Sequence, residues 1–257
     1  MSYALITGAS KGIGKCIAKE LASRKQPVLL VARSENLLQE LASNLSAKFG
    51  VSADYLAIDL SMPDAPAQVY GWCERKGYSV HILVNNAGYG LSGPMDRHSW
   101  AENSNMMQVN MFTLVGLCQT FLPMLRRQSR SYILNIASSA AYQAVPNLSI
   151  YSATKAFVLR FSRGLHQELA KSNVSVTCIS PGATDTEFTV RAQIGEKGLK
   201  AAQKLNMSPE IVAKMAVDAM YACKTELITG WVNKTGAFLA WLLPNKLVEK
   251  TSMSLYE

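Results

Sequence analysis

Six short apolar runs recur along the chain at 3–7, 27–32, 53–58, 81–85, 131–137 and 174–180, and five of them hold no charged residue. Runs of this length and character suit strands buried on both faces of a parallel sheet. Between them lie amphipathic segments of helical length, at 14–25, 34–49, 65–76, 100–127 and 152–172. An order of strand, helix, strand, helix predicts an α/β fold, a doubly wound parallel sheet with right-handed crossovers. No internal repeat, low-complexity tract or linker divides the chain, so 1–257 reads as a single domain.

Composition narrows the class. Hydrophobic residues make up 49% of the chain and charged residues 17%, which fits a globular protein and argues against disorder. The apolar stretch 111–125, interrupted by Gln119, is shorter than the about 20 residues a membrane span needs. It reads as a buried or interface helix, and no stable membrane insertion is expected. The N-terminus runs straight into the first strand without a basic-then-apolar leader. Five scattered cysteines, Cys16, Cys73, Cys118, Cys178 and Cys223, form no C-x-x-C pair. They read as reduced thiols in a cytoplasmic protein, with no structural zinc. His81, His98 and His166 are too dispersed to suggest any other metal site. The net charge of +8 is not concentrated in a block. Its densest piece, Arg126-Arg127-Gln128-Ser129-Arg130, follows an apolar helical run and suits a helix C-terminus. A phosphate-rich cofactor or acyl carrier accounts for a basic surface as well as nucleic acid does, and no nucleic-acid partner is expected.

The first strand runs directly into Thr7-Gly8-Ala9-Ser10-Lys11-Gly12-Ile13-Gly14 and then into a helix. Glycines allow a tight turn and close approach of backbone to a ligand. The helix N-terminus adds free N–H groups and a partial positive charge, which together favour phosphate. This is the logic of a dinucleotide-binding, Rossmann-type first turn, although the spacing is G-x-x-x-G-x-G. In such folds an acidic residue after the second strand grips the ribose of NAD, whereas an arginine accepts the 2′-phosphate of NADP. Here Arg33 follows the second strand, and Lys11 lies within the glycine loop. The two cations argue for NADP(H); an ordinary loop position for Arg33, with Glu35 nearby, is the alternative.

Tyr151 and Lys155 are four residues apart, about one helical turn, which sets both on one face. An adjacent ammonium favours the phenolate, so the pair suits acid–base chemistry.

With these motifs in order, the chain resembles the short-chain dehydrogenases/reductases over nearly its whole length. The resemblance rests on Thr7, Gly8, Gly12 and Gly14, on Asn85-Asn86-Ala87-Gly88, on Asn110, Ser138, Tyr151 and Lys155, on Pro181, Gly182 and Thr186, and on Asp59 of Asp59-Leu60. It implies a catalytic tetrad of Asn110, Ser138, Tyr151 and Lys155. It implies cofactor contacts from Thr7, Gly8, Ser10, Lys11, Gly12, Ile13, Gly14, Arg33, Asp59, Leu60, Asn86, Ala87, Gly88, Tyr151, Lys155, Pro181, Gly182 and Thr186. Tyr151 would donate a proton to the developing alkoxide and Ser138 would hold the carbonyl oxygen. Lys155 would tune the phenol and bond the nicotinamide ribose, Asn110 would hold a relay water, and Thr186 would bind the carboxamide. The chain departs from many relatives at 228–234, which puts the common tetramer in doubt.

Segments 89–97, 140–148 and 186–207 are the expected substrate walls, with 186–207 as a lid. Their Tyr89, Leu91, Met95, Tyr142, Val145, Leu148, Phe188, Val190 and Ile194 favour an apolar ketone or acyl chain. The apolar C-terminal patch 235–244, within the segment 235–257, reads either as core or dimer segment, or as a cover over the pocket or a foot on a membrane. Helices 100–127 and 152–172 carry surplus apolar residues, Phe112, Leu114, Leu117, Phe157, Leu159 and Phe161, and predict a homodimer or homotetramer. Two functions stand: an NADP-dependent ketoreductase, or a non-catalytic NADP-binding sensor on the same fold. The intact tetrad favours the enzyme.

Overall fold

The computed structural model describes residues 1–184, 192 and 206–256. Its strands are β1 (Ser2–Thr7), β2 (Val28–Ala32), β3 (Ala53–Ala57), β4 (Ser79–Asn85), β5 (Ser131–Ile136), β6 (Val174–Ser180) and β7 (Glu226–Ile228). They form one parallel sheet in the order β3-β2-β1-β4-β5-β6-β7. The order reverses between β1 and β4, so the crevice beyond their carboxyl ends is where a ligand belongs in such a sheet.

Helices cover both faces. On one side lie α1 (Gly12–Ser23), α2 (Glu35–Phe49) and, after β6, α7 (Pro209–Tyr221). On the other lie α3 (Ala65–Arg75), α5 (Leu114–Arg126) and α6 (Ser149–Glu168). Each side has its own buried cluster: Ile6, Ile17, Leu21, Leu30 and Leu38 on the first, and Leu5, Leu29, Leu83, Phe121 and Val158 on the second. Alternate residues of β1 and β2 therefore feed opposite layers, as the pleat requires. Local signals set the helix ends. Ser99 and Glu102 form a capping box ahead of α4 (Trp100–Met107). Gly50 ends α2 in the left-handed conformation, its N–H bonded to the Ser46 carbonyl.

The helix expected over 100–127 is continuous but not uniform. Between α4 and α5, residues Gln108–Thr113 form a π-helical turn, which contains Asn110. A π turn accommodates one more residue than an α turn and often marks a functional position. Among the described residues, Trp100–Arg126 is the one helical stretch long and apolar enough to cross a membrane, and half of its most apolar part is buried inside the fold. Of the six residues expected to be surplus, Leu114, Leu117 and Leu159 are core, while Phe112 and Phe157 are exposed. Phe157 stacks on Phe161 with ring centroids 6.1 Å apart.

The C-terminus differs from a core segment. It forms α8 (Trp231–Leu242) and α9 (Asn245–Tyr256), and α8 has no buried residue. The expected lid 186–207, with Phe188, Val190 and Ile194, lies outside the described residues except for Ala192, Asn206 and Met207.

Candidate active site

The glycine loop after β1 is braced from β4. Thr7 donates its hydroxyl to the Val84 carbonyl at 3.2 Å and accepts from the backbone N–H groups of Asn86 and Ala87 at 3.0 and 3.1 Å. The Asn86 amide donates to the carbonyls of Thr7 and Gly8 at 2.9 and 3.2 Å. Thr7 and Asn86 thus hold the loop's shape. Gly8 has φ +65°, and a Cβ there would come within 2.8 Å of the Asn86 amide nitrogen. A Cβ on Gly14 would fall 2.4 Å from the Gly8 carbonyl oxygen. Loop and α1 can meet this closely only with glycine at both places. The cradle left in front of them fits a pyrophosphate at a helix N-terminus.

A cleft of about 830 Å3 runs from this loop across the carboxyl ends of the strands. Gly8, Ser10, Lys11, Gly12 and Ile13 line one end, with Arg33, Asp59 and Leu60 beside them. Asn86, Ala87 and Gly88 form its middle, and Ser138, Tyr151, Lys155, Pro181 and Gly182 its far end. The structure therefore gathers around one cavity most of the residues singled out in the sequence. Thr7 and Gly14 stand behind the lining, and Thr186 lies outside the described residues. Arg33 and Lys11 are both exposed at the cleft rim. Asp59 accepts from the Ser61 N–H and hydroxyl, each at 2.9 Å, which fixes the turn after β3.

Ser138 sits just beyond β5 and caps a 3-10 turn, Ser139–Tyr142, by accepting from the Ala140 N–H at 3.1 Å. That bond uses a lone pair of the oxygen; the hydroxyl proton is the part that can hold a carbonyl oxygen. Tyr151 and Lys155 lie on the first turns of α6, both buried. Lys155 Nζ lies 5.9 Å from the centre of the Tyr151 ring and donates to the Ile136 carbonyl at 2.9 Å. Burial pushes the Lys155 ammonium down to about 8, against a smaller opposing effect of Cys178.

Asn110 lies in the π turn and is buried behind the cleft lining. Its amide donates to the Tyr89 carbonyl and to the Thr154 hydroxyl, each at 3.0 Å, and its oxygen accepts from the Tyr89 N–H at 3.1 Å. Both donors are taken by protein, so this side chain ties the 86–89 segment to α6. It packs behind Gly88, where an added Cβ would come within 2.9 Å of Asn110 Oδ1 and 3.3 Å of Lys155 Nζ.

Other wall residues carry no local motif. The Tyr142 hydroxyl bonds Ser180 at 3.1 Å and Glu226, and Glu226 accepts from Arg163 Nε at 2.6 Å. This chain of bonds ties the turn bearing Ser138 to β6, β7 and α6. From α8, Val232, Asn233, Gly236 and Ala237 line the cleft, and Asn233 packs directly on Gly182. Ser252 of α9 accepts from Gln143 at 2.7 Å, and both line the same cavity. The apolar character of 235–244 was the signal available for this part of the wall. The expected wall residues Tyr89, Tyr142, Val145 and Leu148 line the cleft, whereas Leu91 and Met95 lie in a separate pocket of about 140 Å3.

A family model described as short chain dehydrogenase matches residues 2–197. An uncharacterized oxidoreductase of Staphylococcus epidermidis is 33% identical over 202 residues, 79% of this chain and 86% of that protein. The very-long-chain 3-oxoacyl-CoA reductase of Rattus norvegicus is 33% identical over 70% of this chain, which spans 58% of that relative's length. A solved short-chain dehydrogenase from Sphingobium yanoikuyae in complex with NADPH is 30% identical, with a TM-score of 0.81 over 94% of this chain and 95% of that one.

Proposed function

Because the chain belongs to the short-chain dehydrogenase/reductase family, oxidoreductases acting on alcohol and ketone groups, we propose that it is an NADP-dependent reductase of apolar ketones or 3-ketoacyl substrates. The observation that carries this reading is the convergence of Ser138, Tyr151 and Lys155 on the cleft that also holds the glycine loop. Tyr151 and Lys155 would hold the nicotinamide end of the cofactor, with Pro181, Gly182 and Thr186 alongside; Ser10, Lys11, Gly12 and Ile13 would hold the pyrophosphate. When bound, the nicotinamide supplies the hydride. Ser138 donates its hydroxyl proton in a hydrogen bond to the substrate carbonyl oxygen. Tyr151 transfers its phenolic proton to that oxygen as it gains charge. Lys155 keeps positive charge beside the phenol, which favours the phenolate left behind.

The preference for NADP rests on Arg33 and Lys11 at the rim, where a 2′-phosphate would meet two cations. The NADPH complex of the Sphingobium relative supports the same choice. Apolar Val145, Leu148, Ala237 and Val232 on the cleft favour an apolar substrate over a sugar. The rat relative's 3-oxoacyl-CoA activity points the same way. We read the chain as one domain, acting in the cytoplasm and paired through exposed Phe112 and Phe157 on α5's approach and α6. A screen of NADPH oxidation with 3-ketoacyl thioesters, steroids and small diketones tests the assignment. Turnover of one class, abolished by Tyr151→Phe, supports it; NADPH binding with no turnover of any ketone would favour a cofactor sensor instead.

A further inference from the structure

The exposed side of α8 is apolar where a globular surface is normally polar. Trp231 is 83% exposed, Trp241 78%, Leu242 59% and Phe238 56%. At 100° per residue these four fall on one face of the helix, with Lys234 among them. The residues that line the cleft, Val232, Asn233, Gly236 and Ala237, fall on the opposite face. Leu247 and Met253 of α9 are exposed as well. An apolar helix face of this kind marks a surface that meets something apolar.

The charges within the patch select the occupant. Residues 231–253 contain three lysines, Lys234, Lys246 and Lys250, against one acid, Glu249, in a chain of net charge +8. Lys234 holds its ammonium 5.5 Å from the centre of the Trp231 ring. A second copy bound by two-fold symmetry would set this face against itself. Lys234, Lys246 and Lys250 would then meet like charges, with Glu249 alone to compensate. Lysine is also depleted at protein interfaces. A phospholipid surface has the opposite demand. Tryptophan favours the headgroup level, aliphatic side chains enter the acyl boundary, and lysine ammoniums reach outward to anionic phosphates.

We propose that the outer face of α8, with Leu247 and Met253 of α9, docks this protein on an anionic phospholipid surface without crossing it. Docking there turns the roof of the catalytic cleft toward the lipid.

The test uses the full chain with vesicles of phosphatidylcholine, with and without phosphatidylglycerol. Co-sedimentation is expected with the anionic vesicles, weakened by salt, and stronger than with neutral ones by about fivefold for each lysine that reaches the headgroups. Trp231→Ser with Trp241→Ser should abolish it. Both side chains are exposed and off the cleft, so NADPH binding by the variant reports that it is folded. Lys234→Glu with Lys246→Glu should remove the preference for anionic lipid while leaving the apolar contact. The proposal is overturned if wild type ignores both vesicles, or if the folded tryptophan variant still binds them. It is equally overturned if sedimentation velocity shows the tryptophan pair to hold two copies together. None of these readouts depends on the enzyme's substrate, so failure here leaves the reductase assignment standing.

Discussion

Lys155 donates to the carbonyl oxygen of Ile136 at 2.9 Å, burying its ammonium against the end of β5. Burial pushes the group down from 10.5 to about 8. The folded state thus bears, beside the Tyr151 ring, a charge that water would hold more cheaply.

That cost is measurable. Below pH 8 Lys155 is protonated in both states and the full penalty applies. Between about 8 and 10.5 the unfolded chain holds the extra proton, so this group's contribution to stability rises with pH. Lys155→Met should therefore be inactive yet more stable than wild type at pH 7 without cofactor, by an amount on the order of 3 kcal/mol. The gap should close as pH approaches 10.5. Denaturant melts of both proteins across pH provide the check, and a variant less stable at pH 7 would contradict the cause assigned to the shift.

Tyr151→Phe keeps the ring packed and removes the proton donor. Ketone reduction should fall by about 10²–10⁴-fold, the range for one general acid, with NADPH binding nearly unchanged. In wild type, reduction needs the neutral phenol and alcohol oxidation the phenolate, so raising pH should slow the first and speed the second. Steady-state rates in both directions, with cofactor titration by fluorescence, decide it. Near-normal turnover in the variant would remove Tyr151 from the acid role.

Arg33→Asp replaces a cation at the cleft rim with a carboxylate. The 2′-phosphate then meets like charge, while a ribose hydroxyl gains an acceptor. NADPH should bind more weakly and NADH more tightly, reversing the preference. Dissociation constants for both cofactors report the change; equal affinities in wild type would leave Arg33 without this role.

Two glycine-to-alanine changes should behave oppositely. In Gly14→Ala the new methyl would lie 2.4 Å from the Gly8 carbonyl oxygen, so the loop must distort and cofactor binding should be lost. In Gly164→Ala, at an exposed position of α6, the methyl meets nothing within 4 Å. It should stabilise the protein by about 0.5–1 kcal/mol through helix propensity alone. Thermal melts and NADPH titration of the two variants separate loop shape from glycine content.

The features legible in the sequence are those written locally. The alternation of runs gave the layers and six of the seven strands: five are interior strands that must be apolar almost throughout, and the sixth, β3, is a half-exposed edge strand that carries Asp54 within its run. The glycine loop and the Tyr151–Lys155 pair were legible because each lies within one turn or loop. The seventh strand, Glu226–Ile228, is three residues long and headed by a charge that faces Tyr142, so no apolar run announces it. The bond between Tyr142 and Glu226 spans 84 positions, and no local pattern encodes a contact at that distance. Asn110 was found by motif, but its engagement with Tyr89 and Thr154 depends on how α6 packs, which spacing does not report. The C-terminal patch was visible as apolar; that one side of its helix lines the cleft while the other stays exposed needed the fold.

The π turn at Gln108–Thr113 fits one more residue into the helix than regular α winding would need. Deleting one residue there would let the helix heal into regular α form with the flanking segments still in phase. Asn103 and Met106 before the turn, and Leu117 and Phe121 after it, would keep their buried positions. The widened turn itself would be lost, and with it the placement that lets Asn110 meet Tyr89 and Thr154 together. The extra residue thus serves the site locally: the fold would survive its removal, and the tie between the 86–89 segment and α6 would not.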